Sequence, residues 1–142
     1  MPDDVSLNKL AIIERCLRRV AEEYRRDPAR LENFTIQDSV VLNVQRACEA
    51  AIDMAMHVIA VRRLGVPQDA RSAFDILAAE RLIERPLAER MKAMVGFRNI
   101  AVHDYQQLQV TILQRVVEER LHDLKTLGTV LLQTRGQSGP IG

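Results

Sequence analysis

Apolar residues recur along this chain at steps of three and four, the spacing of one face of a helix. Leu10, Ile13, Leu17, Val20 and Tyr24 form the first such stripe and predict a helix over about Val5 to Tyr24. Asp27-Pro28 ends it, because a residue before proline is pushed out of the α region. A second helix is expected to open at Thr35, where Thr35-Ile36-Gln37-Asp38 resembles a capping box with an acid in the fourth place. It runs through Leu42, Ala51, Ala55, Val58 and Ile59 to Leu64, with Gly65 placed as the left-handed glycine past its end and Pro67 preventing resumption. That is about 29 residues, or roughly 43 Å at 1.5 Å per residue. Between Ala47 and Val61 it is apolar on more than one face, which predicts a central position.

A short third helix is expected over about Ala70 to Leu82. Pro86 suits the first turn of a fourth, which carries Leu87, Met91, Met94 and Val95. A last helix begins near Gln107 and carries Leu113, Val117, Leu121, Leu124, Leu127 and Leu131 on one stripe. No stretch alternates as a strand does. The expected fold is all-α: an up-and-down four-helix bundle with an additional short helix. One domain is expected over 1–134, followed by a glycine-rich, flexible tail over 135–142.

Composition narrows the function. The chain of 142 residues carries 20 Lys and Arg against 19 Asp and Glu, a net charge of +1. Such a balance gives no global field for nucleic acid, so any attraction to it has to be local. No run of about 18 apolar residues is present, so no membrane-spanning helix is expected. The start, Met1-Pro2-Asp3-Asp4, lacks the basic and apolar signature of a secretory signal. Cys16 and Cys48 are too few for a disulfide scaffold and have no zinc-like spacing with histidines. A cytoplasmic location with reduced thiols is the expectation, with no metal and no cofactor.

Five aromatic residues occur in the chain, three Phe and two Tyr, and two of them bracket the segment Phe97-Arg98-Asn99-Ile100-Ala101-Val102-His103-Asp104-Tyr105. Arginine presents a permanent planar cation that pairs bidentately with phosphate. Histidine moves protons near neutral pH. Together they suit phosphodiester chemistry on RNA without a metal, where the ribose 2′-hydroxyl already supplies the nucleophile. Geometry imposes a condition. Residues five apart on a straight helix differ by about 140° around the axis, so Arg98 and His103 do not share a face, whereas Arg98 and Tyr105 nearly do. Either the helix breaks near Gly96 or Asn99, or a two-fold dimer assembles one site from both chains.

Arg98-x4-His103-x-Tyr105 near the start of a last long helix, in a small all-helical chain, resembles the HepT family of HEPN toxins. The likeness in helix number and order extends over roughly Val5 to Leu132, and Asn43, Arg46, Asp53 and His57 on the second helix resemble one branch of that family. The resemblance implies a homodimeric, metal-independent endoribonuclease acting as the toxin of a toxin–antitoxin pair. It implies catalytic roles for Arg98 and His103. It further implies neutralisation by a minimal nucleotidyltransferase antitoxin, MntA-like, that transfers AMP from ATP to Tyr105. A rival reading from another class is a non-catalytic helical module that only binds a nucleotidyltransferase.

Supporting roles are open at several positions. Asn99 lies inside the motif. Asp53 and His57, four apart on one face, form either an acid–histidine pair lining the motif or a plain intrahelical contact. Arg46 contacts RNA, helps a dimer, pairs with Glu49 or stays in solvent. Asp104 is given no catalytic role. His122 among Glu118, Glu119 and Asp123 reads as a surface residue, Cys16, Cys48, Met91 and Met94 read as packing, and Arg18-Arg19 and Arg25-Arg26 read as a solvated face.

Overall fold

The computed structural model describes residues 3–137. Helix α1 spans Asp4–Tyr24. Asp3 caps it, its carboxylate accepting from the Ser6 N–H at 2.7 Å. Ile13, Cys16, Val20 and Tyr24 are buried, while Leu10 and Leu17 at the edge of the stripe are half-buried. A 3-10 turn over Pro28–Glu32 then reverses the chain.

Helix α2 spans Phe34–Arg62, 29 residues. Its cap is Asn33 and not Thr35: the Asn33 side chain accepts from Ile36 N–H at 3.1 Å. The helix therefore starts one residue earlier, and Asp38 is freed from any capping role. The far end also differs from expectation. Arg63, at φ 54°, supplies the left-handed residue, with Leu64 N–H reaching back to Ile59 O at 3.0 Å. Gly65 (φ +142°) lies two residues further, in the loop. Val40, Val41, Val44, Ala47, Cys48, Ala51, Met54, Ala55, Val58 and Ile59 are buried, and α2 packs against α1 and against every later long helix. Its two apolar faces are thereby accounted for.

Helix α3 spans Ala70–Ala79, shorter than its apolar pattern suggests, and Asp69 and Ser72 form its capping box. Helix α4 spans Arg85–His103, with Pro86 in the first turn. It is continuous through Gly96 and Asn99, so the break expected there as one of two possibilities is not found. A 3-10 turn, Tyr105–Gln107, links it to the last helical rod. The rod starts at Val110, three residues later than expected. It comprises α5 (Val110–Arg115), a π-helical turn (Val116–Arg120) and α6 (Leu121–Gln137). Leu113, Leu124, Leu127 and Leu131 seal the core. A Cβ added at Gly128 would stand 2.7 Å from Leu10 Cδ1, so α1 and α6 approach closely there. Residues 138–142 of the expected tail lie outside the described residues.

The architecture is the up-and-down helical bundle expected from the periodicity, and no strand occurs among the described residues. Among the described residues, no helix is long and apolar enough to cross a membrane. Cys16, Cys48, Met91 and Met94 are all buried as packing residues. Burial pushes the Cys48 thiol up to about 12.

Candidate active site

Continuity of α4 decides how the motif is presented. Arg98 points at α2, where its Nη1 lies 3.9 Å from the Glu49 carboxylate. The Arg98 side chain is about a quarter exposed, at 23%, and its Nε is buried without a hydrogen-bond partner among the described residues. Glu49, Ile52, Asp53 and Arg98 line one cleft of about 300 Å³. A guanidinium held by a long ion pair at one Nη, in a partly exposed side chain, keeps its other terminal donors for a phosphate.

His103 is the last residue of α4 and is exposed. Its side chain leaves the helix about 140° from that of Arg98. Tyr105 follows Asp104, whose φ of −151° and ψ of 44° bend the chain out of the helix. The bend turns Tyr105 back to α2, and its hydroxyl donates to the Asp38 carboxylate. Burial, then this hydrogen bond and the Asp38 charge, push the Tyr105 phenol up to about 12. Asp38 and Glu49 are eleven residues apart, about three helical turns, and so share one face of α2 roughly 16 Å apart. Arg98 and Tyr105 thus both address one side of the central helix, Tyr105 through the bend at Asp104 and not through the helical spacing expected, because α4 ends at His103.

The supporting candidates divide. Asp53 lines the Arg98 cleft, and Lys9 Nζ donates to it at 3.1 Å. His57 is engaged 3.0 Å from Asp3, at the start of α1. Each therefore turns to α1, and the Asp53–His57 contact foreseen from their spacing gives way to these two. Arg46 is exposed one turn before Glu49, and its charge reaches the Cys16 thiol on α1. Asn43 donates to Ser39 O at 2.9 Å within its own helix. Asn99 borders an apolar cleft with Phe97, Ile100 and Ile112. His122 is exposed beside Thr126, a surface residue as expected. Of the basic run on α1, Arg19 is tied to Glu22 and Glu23 on the solvated face.

Two partners were not legible as such in the sequence. Glu49 and Asp38 hold Arg98 and Tyr105 from 49 and 67 residues away. Their eleven-residue spacing on one long helix was the available signal, and it acquires meaning only once α4 is known to lie along α2.

A helical bundle that carries Arg98 and His103 on its fourth helix and Tyr105 just past its end, against a long central helix, is the arrangement that the resemblance to small helical ribonuclease toxins implies. The family model described as Ribonuclease HepT-like matches residues 10–128. The chain is 46% identical over 123 residues to the mRNA nuclease HepT of Shewanella oneidensis, covering 87% of this chain and 92% of that protein. It is similar to the solved structure of the tri-AMPylated Shewanella oneidensis HEPN toxin in complex with MNT antitoxin: TM-score 0.86, 45% identity, 91% of this chain and 97% of that one. It is equally similar to a toxin–antitoxin crystal structure with AMP-PNP, with a TM-score of 0.86 and 44% identity over 91% of this chain and 98% of that one. The chain belongs to the ribonuclease HepT-like family of HEPN toxins. Membership in a ribonuclease family favours the enzyme over the non-catalytic module.

Proposed function

We propose that this protein is the toxin of a toxin–antitoxin pair, a metal-independent endoribonuclease of RNA that works as a homodimer and is silenced by adenylylation of Tyr105. The observation that carries the reading is the unbroken α4. It holds Arg98 against α2 and His103 on another side, so a reacting phosphate meets both only where two chains come together. The surface around the motif supports such pairing: Ile100, Val102, Val110 and Ile112 are all about 40% exposed, within the range 38–43%.

In this scheme Arg98 of one chain binds the scissile phosphate and stabilises the charge that grows on it. His103 of the other moves the proton between the ribose 2′-hydroxyl, the leaving oxygen and water. The 2′-oxygen attacks phosphorus, the 5′-oxygen leaves, and a 2′,3′-cyclic phosphate results. With a net charge of +1, attraction to RNA is concentrated at the two copies of Arg98, with the exposed Arg46 beside them.

The partner is a minimal nucleotidyltransferase that places AMP on Tyr105. The similar Shewanella toxin, tri-AMPylated and in complex with an MNT antitoxin, supports this. An adenylate two residues from His103 adds bulk and a negative phosphodiester, which repels the RNA backbone.

The test is cleavage of RNA in EDTA by the purified protein and by His103→Ala. The expected result is cleavage by the native chain, with cyclic phosphate ends, and a loss of about 10²-fold or more in the variant. Equal cleavage by both would refute the assignment.

A further inference from the structure

Tyr105 does not stand alone on the surface. Its hydroxyl donates to the Asp38 carboxylate, carried on the first turns of α2, 67 residues away in sequence. Both residues are exposed, Tyr105 at 38%, so a nucleotide can reach the pair from solvent. The contact is made because Asn33, not Thr35, caps α2, which leaves the Asp38 side chain outside the capping hydrogen bonds. It is also made because Asp104 bends the chain as α4 ends. Nothing in the ribonuclease reaction uses this carboxylate.

We propose that Asp38 is the proton acceptor for modification of Tyr105. The inference rests on the reading that Tyr105 is the adenylylated residue, and it assigns the toxin a catalytic residue in its own silencing. The Tyr105 oxygen attacks the α-phosphorus of ATP held by the nucleotidyltransferase, and the Oη–Pα bond forms. The bond from Pα to the bridging oxygen breaks and pyrophosphate leaves. The hydroxyl proton passes to the Asp38 carboxylate and from there to water. A phenol that stays protonated far above neutral pH needs such an acceptor at the moment of attack, because phenolate is too scarce to serve as the nucleophile. The acceptor is already hydrogen-bonded to the oxygen that reacts.

Esterification also ends the contact. The modified oxygen has no proton to donate, and a phosphodiester beside a carboxylate is repelled. The adenylylated side chain therefore leaves Asp38, and the carboxylate that helped the reaction does not hold its product.

The experiment measures AMP transfer by intact mass in the toxin–nucleotidyltransferase complex with ATP, comparing the native chain, Asp38→Asn, Asp38→Ala, Asp38→Glu and Tyr105→Phe. Asparagine keeps the shape and the hydrogen-bond acceptor but cannot take the proton at neutral pH. The expected result is a fall of about 10²-fold in the transfer rate at saturating ATP for both Asn and Ala. KM for ATP stays unchanged, and Glu restores part of the rate. A native rate in Asp38→Asn overturns the proposal, whatever Ala does, because the residue then only positions the hydroxyl. Native transfer to Tyr105→Phe instead overturns the underlying reading, so the two failures are told apart. Thermal melting of each variant identifies any loss of rate that is a loss of fold, and the Asn variant, isosteric with the native residue, decides the matter if Ala unfolds.

Discussion

Arg98 lies 3.9 Å from Glu49 across the α4–α2 contact, and its Nε is buried without a hydrogen-bond partner among the described residues. The cation is oriented by one long ion pair and is not saturated by it. An exposed or half-exposed ion pair contributes about 0–1 kcal/mol. Arg98→Ala should therefore change the stability little, by about 1 kcal/mol or less, while RNA cleavage falls about 10²–10³-fold. Arg98→Lys keeps the charge but loses the bidentate fork, and should fall between the two. Single-turnover cleavage beside urea denaturation checks both parts.

Mixing two variants tests the proposed composite site. Arg98→Ala and His103→Ala each lack one group in every homodimer. A heterodimer of the two holds one complete site if the pair is drawn from different chains, and none if both come from one chain. Random re-assortment should restore about a quarter of native cleavage, since half of the dimers are mixed and each has one of two sites. Ile100→Asp, which places a charge on the exposed apolar strip, should convert the proposed dimer to a monomer by light scattering and abolish cleavage with it.

Acid should weaken the anchoring of the N-terminal end of α1. Burial raises the Asp3 carboxyl, but the Ser6 N–H and His57 outweigh it and hold the group down at about 2. A carboxyl lowered in the fold contributes stability above its unfolded pKa of about 3.9, and this is lost as pH falls toward 2. The stability gap between the native chain and Asp3→Asn, measured by denaturation, should be full at pH 5 and close toward pH 2. A gap that widens with acid would contradict the assignment.

Alkali reports on the two phenols. Burial, then Glu118, pushes Tyr24 up to about 12, and burial, then Asp38, does the same for Tyr105. A phenol raised in the fold contributes stability below its unfolded pKa of about 10, lost as pH rises toward 12. Absorbance titration should show neither tyrosine ionised at pH 10 in the native chain, and Asp38→Asn should bring one of the two midpoints down.

Core substitutions separate folding from chemistry. Leu127 is fully buried where α6 closes the bundle. Leu127→Ala should cost about 2–5 kcal/mol by lost burial and the cavity left behind. Chemical denaturation measures it, and the fraction still folded should cleave RNA normally.

The amino-acid sequence by itself determined the helices and their order. A stripe at steps of three and four has one stable home, a helix with that face buried, so Ile13, Val20, Leu113, Leu124 and Leu127 were legible as core. The two-faced run of α2 marked it as central for the same reason. Helix ends were less legible. Asn33 competed with Thr35 to cap α2, and Arg63 took the left-handed place assigned to Gly65, because end geometry depends on what the adjoining loop packs against. The candidate segment around Arg98, His103 and Tyr105 was visible as residue types and spacing. Which distant side chains pair with it came only from the packing of the helices. Glu49 beside Arg98, Asp38 beneath Tyr105, Lys9 on Asp53 and Asp3 on His57 are all pairings between helices. A periodic pattern fixes which face of a helix is buried, but not the register at which one helix lies along another. Hydrogen bonds and ion pairs need that register to within an ångström or so, and packing of the whole bundle sets it.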